Sequence, residues 1–163
     1  MLLNLTARRP HGIIRRLFRL PILLYKAHLG WLVGRRFLLL THKGRKSGLP
    51  RQTVLEVVDY REANDVFIVA SGWGNKSDWY QNILKTPDVV VNFAGWQSDR
   101  CAVIMSQTQA ARALFEYSQK HPRAYRLLAR ELLGRPLEDT REECEAFSRR
   151  VPLVEIWPRD RRS

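Results

Sequence analysis

From Ile13 to Phe18 apolar pairs flank Arg15 and Arg16, and Arg19 follows, so Ile13, Ile14, Leu17 and Phe18 share one helical stripe and the arginines another. This spacing predicts a basic amphipathic helix. Pro21 bends or restarts it, and Leu23, Leu24, Tyr25, Leu29, Trp31 and Leu32 extend the apolar pattern to Val33, where Gly34 ends it. The period then shortens. Residues 36–41 (RFLLLT) and 51–60 (RQTVLEVVDY) read as a β-hairpin or bent strand pair around the turn KGRKSG, and residues 66–71 (VFIVAS) read as a third strand. Gly72 to Asn75 form a loop into Ser77, a candidate N-cap for the helix DWYQNILK, which Pro87 closes. Residues 89–93 and 97–105 make a second hairpin about Ala94-Gly95. Helical spacing returns over residues 108–149, punctuated by Pro122 and Pro136, and residues 151–157 (VPLVEIW) form a last strand before a polar tail.

This order predicts an α+β, mainly β, fold built on a small barrel or curled sheet of five or six mostly antiparallel strands. Residues 1–35 form the basic N-terminal helix and 36–163 the barrel domain. A chain of 163 residues with 45% hydrophobic content suits one domain with a substantial core rather than two. No uncharged apolar run approaches the ~20 residues of a membrane-spanning helix, which excludes a transmembrane bundle.

The net charge of +12 changes this picture because of where it lies. Residues 1–55 hold twelve Lys and Arg and no Asp or Glu, whereas residues 56–163 hold sixteen of each sign. Such a field concentrates anions at one end of the molecule, whether nucleic acid, an anionic membrane surface or a phosphorylated or carboxylated ligand. Nucleic acid is the weakest of these, since no recognition helix or aromatic-studded RNA motif is present. Residues 8–35 suit an anionic lipid surface. Cys101 and Cys144 form no C-x-x-C pair and His11, His28, His42 and His121 have no ligand spacing, so no metal site is readable. Buried thiols in a reducing compartment and the lack of secretory-signal order favour the cytoplasm, with peripheral attachment to the inner membrane face as an option.

The most specific local chemistry is Gly44-Arg45-Lys46-Ser47-Gly48-Leu49-Pro50-Arg51, with three cations, a hydroxyl and two glycines between two strands. Glycines let backbone N–H groups turn toward an anion, and arginine offers planar paired donors to phosphate or carboxylate. The order is not that of a Walker A loop. A second cluster joins Val69-Ala70-Ser71-Gly72 to Asp78-Trp79-Tyr80-Gln81-Asn82: small residues ending a strand admit a flat ligand, and an aromatic pair can wall it. Taken alone, Trp79 and Tyr80 are more often core.

In order and spacing, the segments THKGRKSGLPR (41–51), VASG (69–72), WYQNI (79–83) and PDVVV (87–91) resemble the deazaflavin-dependent nitroreductase family, split β-barrel proteins that use coenzyme F420. The likeness spans roughly residues 30–106. It implies a six-stranded, FMN-binding-like split barrel and hydride transfer between the deazaflavin and an organic acceptor such as a quinone, enone or nitro compound. It also implies that Arg45, Lys46, Ser47 and Arg51 hold the phosphate and acidic tail of the coenzyme. Gln52, Thr53, Val54, Leu55 and Glu56 would line its chain and ring edge, and Val69, Ala70, Ser71 and Gly72 with Asp78, Trp79, Tyr80, Gln81 and Asn82 would surround the ring. Ser71, Tyr125 or solvent would supply a proton to the acceptor.

The sequence departs from the family where tyrosines often cover the substrate: here the segment reads His121-Pro122-Arg123-Ala124-Tyr125, and Glu56 replaces a familiar aromatic. Two other readings stand beside this one. The barrel could carry FMN or another planar cofactor, because split barrels accept several, or the chain could be a non-enzymatic peripheral membrane protein. Small split barrels commonly cover sheet edges by pairing, which makes a homodimer a further expectation.

Overall fold

The computed structural model describes residues 37–159. The amphipathic helix expected over residues 1–35, and with it the lipid contact expected of residues 8–35, lies outside the described residues. Six strands, β1 (Phe37–Lys43), β2 (Pro50–Arg61), β3 (Val66–Ala70), β4 (Asp88–Phe93), β5 (Trp96–Ile104) and β6 (Leu153–Pro158), close into a barrel in the order β1-β2-β3-β6-β5-β4. All six pairings are antiparallel.

Alternation decides what fills the barrel. Leu38 and Leu40 of β1, Leu55 of β2, Phe67 and Val69 of β3, Val89 and Val91 of β4, Ala102 of β5 and Val154 and Ile156 of β6 form one buried cluster. Burying each large aliphatic side chain stabilises the fold by about 1.5–3 kcal/mol. The twelve-residue β2 changes partner midway: it pairs with β1 up to Glu56 and with β3 from Val57, and a bulge between Val57 and Asp59 provides the bend. The β4–β5 hairpin turns through Ala94 and Gly95, both left-handed at φ 50° and 86°, as a tight two-residue turn between right-twisted strands requires.

Four α-helices accompany the strands among the described residues: α1 (Asp78–Lys85), α2 (Gln107–Lys120), α3 (Pro122–Leu133) and α4 (Arg141–Arg150). The helical stretch expected over residues 108–149 is thus three helices. Ser106 and Gln109 close a capping box at the start of α2, Pro122 opens α3, and Gly134 at φ 74° ends it. Together α2, α3 and α4 bury Leu114, Tyr117, Tyr125, Leu128 and Phe147 against Val58, Ile68 and Leu153 on the outside of the barrel. Helix α1 instead drives Trp79, Tyr80 and Ile83 into the barrel cluster. Among the described residues no helix is long and apolar enough to cross a membrane.

Candidate functional site

The β1–β2 connection is a small closed loop. Gly44 N–H donates to Leu49 O and Gly48 N–H to Gly44 O, both at 2.8 Å. Gly48 sits at φ 70°, a left-handed conformation that a Cβ would strain. Lys46, Ser47, Leu49 and Arg51 are exposed on this loop, and Arg45 is half-buried.

Arg45 is half-buried because α1 holds it. Asp78, Asn82 and Lys85 recur at helical spacing, so they line one face of α1, and all three contact Arg45. Arg45 N–H and Nη1 both donate to Asn82 Oδ1 at 3.0 Å, Nη1 also reaches Asp78 O at 3.3 Å, and Nη2 pairs with Asp78 Oδ1 at 3.1 Å. Lys85 Nζ donates to Arg45 O at 3.0 Å. The opposite face of the same short helix carries Trp79, Tyr80 and Ile83, so α1 clamps the basic loop to the barrel core.

His42 lies beneath this clamp, 5% exposed and one residue pair beyond Leu38 and Leu40 on the inward face of β1. Its Nδ1 is 3.1 Å from Asn82 Nδ2. Because Asn82 Oδ1 already accepts from Arg45, the amide nitrogen donates and His42 accepts at Nδ1 as a neutral ring. Burial is the main cause that pushes the His42 pKa down to about 4; Asp78 opposes the shift and Arg51 adds to it. The cationic character of the loop therefore comes from lysine and arginine alone.

The other expected site residues divide by accessibility. Along β2, Thr53 faces the interior beside Leu40, and Leu55 beside Leu38, so only Gln52, Val54 and Glu56 share the outer face. Gln52 Nε2 donates to Thr41 Oγ1 at 3.3 Å. Val69 is fully buried in the barrel and Ala70 packs toward the helical layer. At Gly72 an added Cβ would lie 2.6 Å from Leu132 Cδ2, so the small-residue strand end admits a side chain of α3 where a flat ligand was expected. Trp79 and Tyr80 are 6% and 7% exposed and pack edge to face at 6.0 Å, which makes them core rather than the wall of an open site. Burial raises the Tyr80 pKa. Gln81 Nε2 donates to Asn75 O at 2.6 Å.

Both side chains expected to supply a proton are also enclosed. Ser71 is fully buried; its hydroxyl donates to Gly74 O at 2.7 Å and lies 2.7 Å from Ser77 Oγ. Ser77, expected to cap α1 through its side chain, makes no such cap; it joins this serine pair and donates to Gly74 O at 3.1 Å. Tyr125 is fully buried in the helical layer with its hydroxyl 3.4 Å from Cys144 Sγ, and burial raises its pKa far above the ordinary tyrosine range. In this structure Tyr125 packs within the helical layer and does not open onto the basic loop. His42 and Lys85 were not among the expected site residues. Continued alternation from Leu38 and Leu40 points His42 inward, and the 78-82-85 spacing exposes Lys85 as the third member of the Arg45 stripe.

A concavity of about 470 Å³ lies elsewhere, lined by Pro122, Arg126, Arg135, Leu137, Asp139 and Glu143 among others. It belongs wholly to the helical layer, with no residue from the basic loop or α1, so the charge pattern and not cavity size locates the candidate site.

A family described as F420H(2)-dependent quinone reductase matches this chain over residues 19–131, which include the basic loop, α1 and all the strands but the last. The chain belongs to that family. This F420H2-dependent quinone reductase family member is an F420H2-dependent oxidoreductase with a split-barrel fold, and its cofactor is coenzyme F420. Among solved structures it is similar to an F420-H2 dependent reductase, FDR-A, at 20% identity, covering 75% of this chain and 94% of that one with a TM-score of 0.50. It is also similar to the protein Atu2129 of Agrobacterium tumefaciens, of unknown function, at 14% identity, covering 75% of this chain and 48% of that one with a TM-score of 0.52. At these identities the likeness is one of fold. No curated protein matches the chain.

The donor set of the loop fits a phosphorylated, carboxylate-bearing coenzyme. Lys46 and Arg51 are exposed and have no ion-pair partner among the described residues, Ser47 offers a hydroxyl between them, and Gly48 keeps the backbone clear of a Cβ.

Proposed function

We propose that this reductase uses the β1–β2 loop to hold the anionic tail of F420H2 and delivers its reducing equivalents to an acceptor of the quinone class. The observation that carries the reading is the division of labour among the loop cations. Arg45 is committed to α1 by side chain and main chain, while Lys46 and Arg51 stand exposed on either side of Gly48. Arg45 shapes the loop, and Lys46, Ser47 and Arg51 receive phosphate and carboxylate oxygens. Arg51 shares the face of β2 that carries Thr53 and Leu55, at the end of the strand beside the loop, and Gln52, Val54 and Glu56 on the other face are the residues of that strand that would meet the coenzyme away from its tail.

When bound, the coenzyme supplies a two-electron hydride donor. The chain's own work is to bind, orient and screen it from water, which calls for no nucleophile or triad. With Ser71 and Tyr125 both enclosed, solvent is the proton source for the reduced acceptor. The family description favours quinones over the enone and nitro compounds considered from the sequence. Anaerobic oxidation of F420H2 by the protein with a water-soluble benzoquinone, a cyclic enone and a nitroarene separates these classes: the quinone should give the highest kcat/KM. Turnover with the nitroarene alone would overturn the quinone assignment.

A further inference from the structure

Asp78 is the one carboxylate paired with a cation of the β1–β2 loop among the described residues, and it sits at the rim with its side chain 66% exposed against 26% for Arg45. Its carboxylate touches only the outermost nitrogen of the clamp, Nη2, at 3.1 Å. Every other tie on Arg45 comes from groups that keep their contacts without that charge: Asn82 Oδ1 on the main-chain N–H and Nη1, the main-chain O of Asp78 on Nη1, and Lys85 on the main-chain O. The loop's shape does not need the Asp78 charge, yet the loop's field is reduced by it.

We infer that Asp78 is a resident counter-anion that competes with the coenzyme tail for Arg45 and holds coenzyme affinity down. While the carboxylate occupies Nη2, an incoming tail finds two free cations, Lys46 and Arg51, and meets repulsion from the rim. When the tail displaces it, Arg45 becomes a third cation without the loop having to refold, because Asn82 and Lys85 keep the main chain in place. The exposed position makes the displacement cheap, since a solvent-facing ion pair is worth little. Asp78 thus acts against the tail rather than with it, reversing the role expected from the sequence. The inference rests on the assignment of this loop to the coenzyme tail.

Fluorescence titration of the full chain with F420 tests it, using Asp78→Asn, Asp78→Ser and Asp78→Glu at low and high salt. Both neutral variants should bind roughly threefold to tenfold more tightly than wild type at low salt, with the gain shrinking as salt screens the charge. Asp78→Glu, which keeps the charge, should retain wild-type affinity. Equal or weaker binding by the neutral variants would overturn the inference, and a matching urea midpoint shows that they are folded. If wild type binds and Lys46→Ala/Arg51→Ala weakens it while the neutral Asp78 variants gain nothing, only the counter-anion fails. If the double variant binds as wild type does, the tail assignment fails and takes this inference with it.

Discussion

Asn82 Oδ1 accepts two hydrogen bonds from Arg45, one from its main-chain N–H and one from Nη1, each at 3.0 Å across 37 residues of sequence. A single amide oxygen thereby sets both the path of the basic loop and the direction of its first cation. The same side chain donates to His42 Nδ1, so loop, helix and barrel interior meet at one residue that is 4% exposed.

Replacing Asn82 with Ala removes the one oxygen that accepts two hydrogen bonds from Arg45, and with it the donor to His42. The expected loss of stability is about 2–3 kcal/mol, read as a shift of the urea midpoint, because buried polar partners are left unmet. Coenzyme affinity should fall in the same variant as the loop loses its anchor. A stability change within error of wild type would mean that α1 holds the loop by other contacts.

The His42 pKa of about 4 makes stability depend on pH. In the unfolded chain the ring titrates near 6.5, so between about pH 6.5 and 4 the unfolded state binds the extra proton. The contribution of His42 is complete above pH 6.5 and is lost progressively as the pH falls toward 4, by about 3 kcal/mol at most. His42→Gln, which keeps an acceptor near the Asn82 amide, should lose less stability than wild type between pH 7 and pH 5. Its ring resonances in wild type should show no titration above pH 5, and a midpoint near 6.5 would contradict the buried neutral form.

Gly48 at φ 70° has open space for a methyl group, its nearest neighbour being Lys43 Cε at 3.8 Å, so only backbone strain opposes substitution. Gly48→Ala should cost about 1 kcal/mol or more. It should also weaken coenzyme binding, because Gly48 separates Lys46 and Ser47 from Arg51. Full affinity in the alanine variant would show that the left-handed turn is not needed for the donor set.

Tyr125→Phe separates packing from proton transfer. Its hydroxyl lies against Cys144 Sγ in a fully buried site, so turnover with F420H2 and quinone should stay within about twofold of wild type while stability falls by about 1 kcal/mol or less. A hundredfold loss of kcat at unchanged stability would restore Tyr125 as a proton donor.

The sequence carried the barrel well because its signals are local. β-Branched runs broken by Gly44, Gly48, Pro50 and Ala94-Gly95 mark the hairpins, and the spacing of Ile83 from Trp79 and Tyr80 marks a helix with one apolar face. The site was legible as a class of chemistry and less so as an arrangement. That Arg45 is spent on α1 depends on Asp78 and Asn82, far along the chain, and no periodicity reveals a contact of that range. Nothing local in the sequence marks Ser71 and Tyr125 as buried, because Ser77 and Cys144 come to lie beside them only in the folded chain. The division of residues 52–56 between two faces was readable from alternation alone, whereas the filling of the Gly72 notch by Leu132 required the packed helix.

The most direct test of the central claim is F420 binding by Lys46→Ala/Arg51→Ala against wild type, followed by coenzyme fluorescence at two salt concentrations with FMN in parallel. The account predicts salt-sensitive F420 binding by wild type, weak FMN binding, and a loss of at least roughly tenfold in F420 affinity in the double variant at low salt. Unchanged affinity in the double variant would contradict the claim that this loop holds the coenzyme's anionic tail.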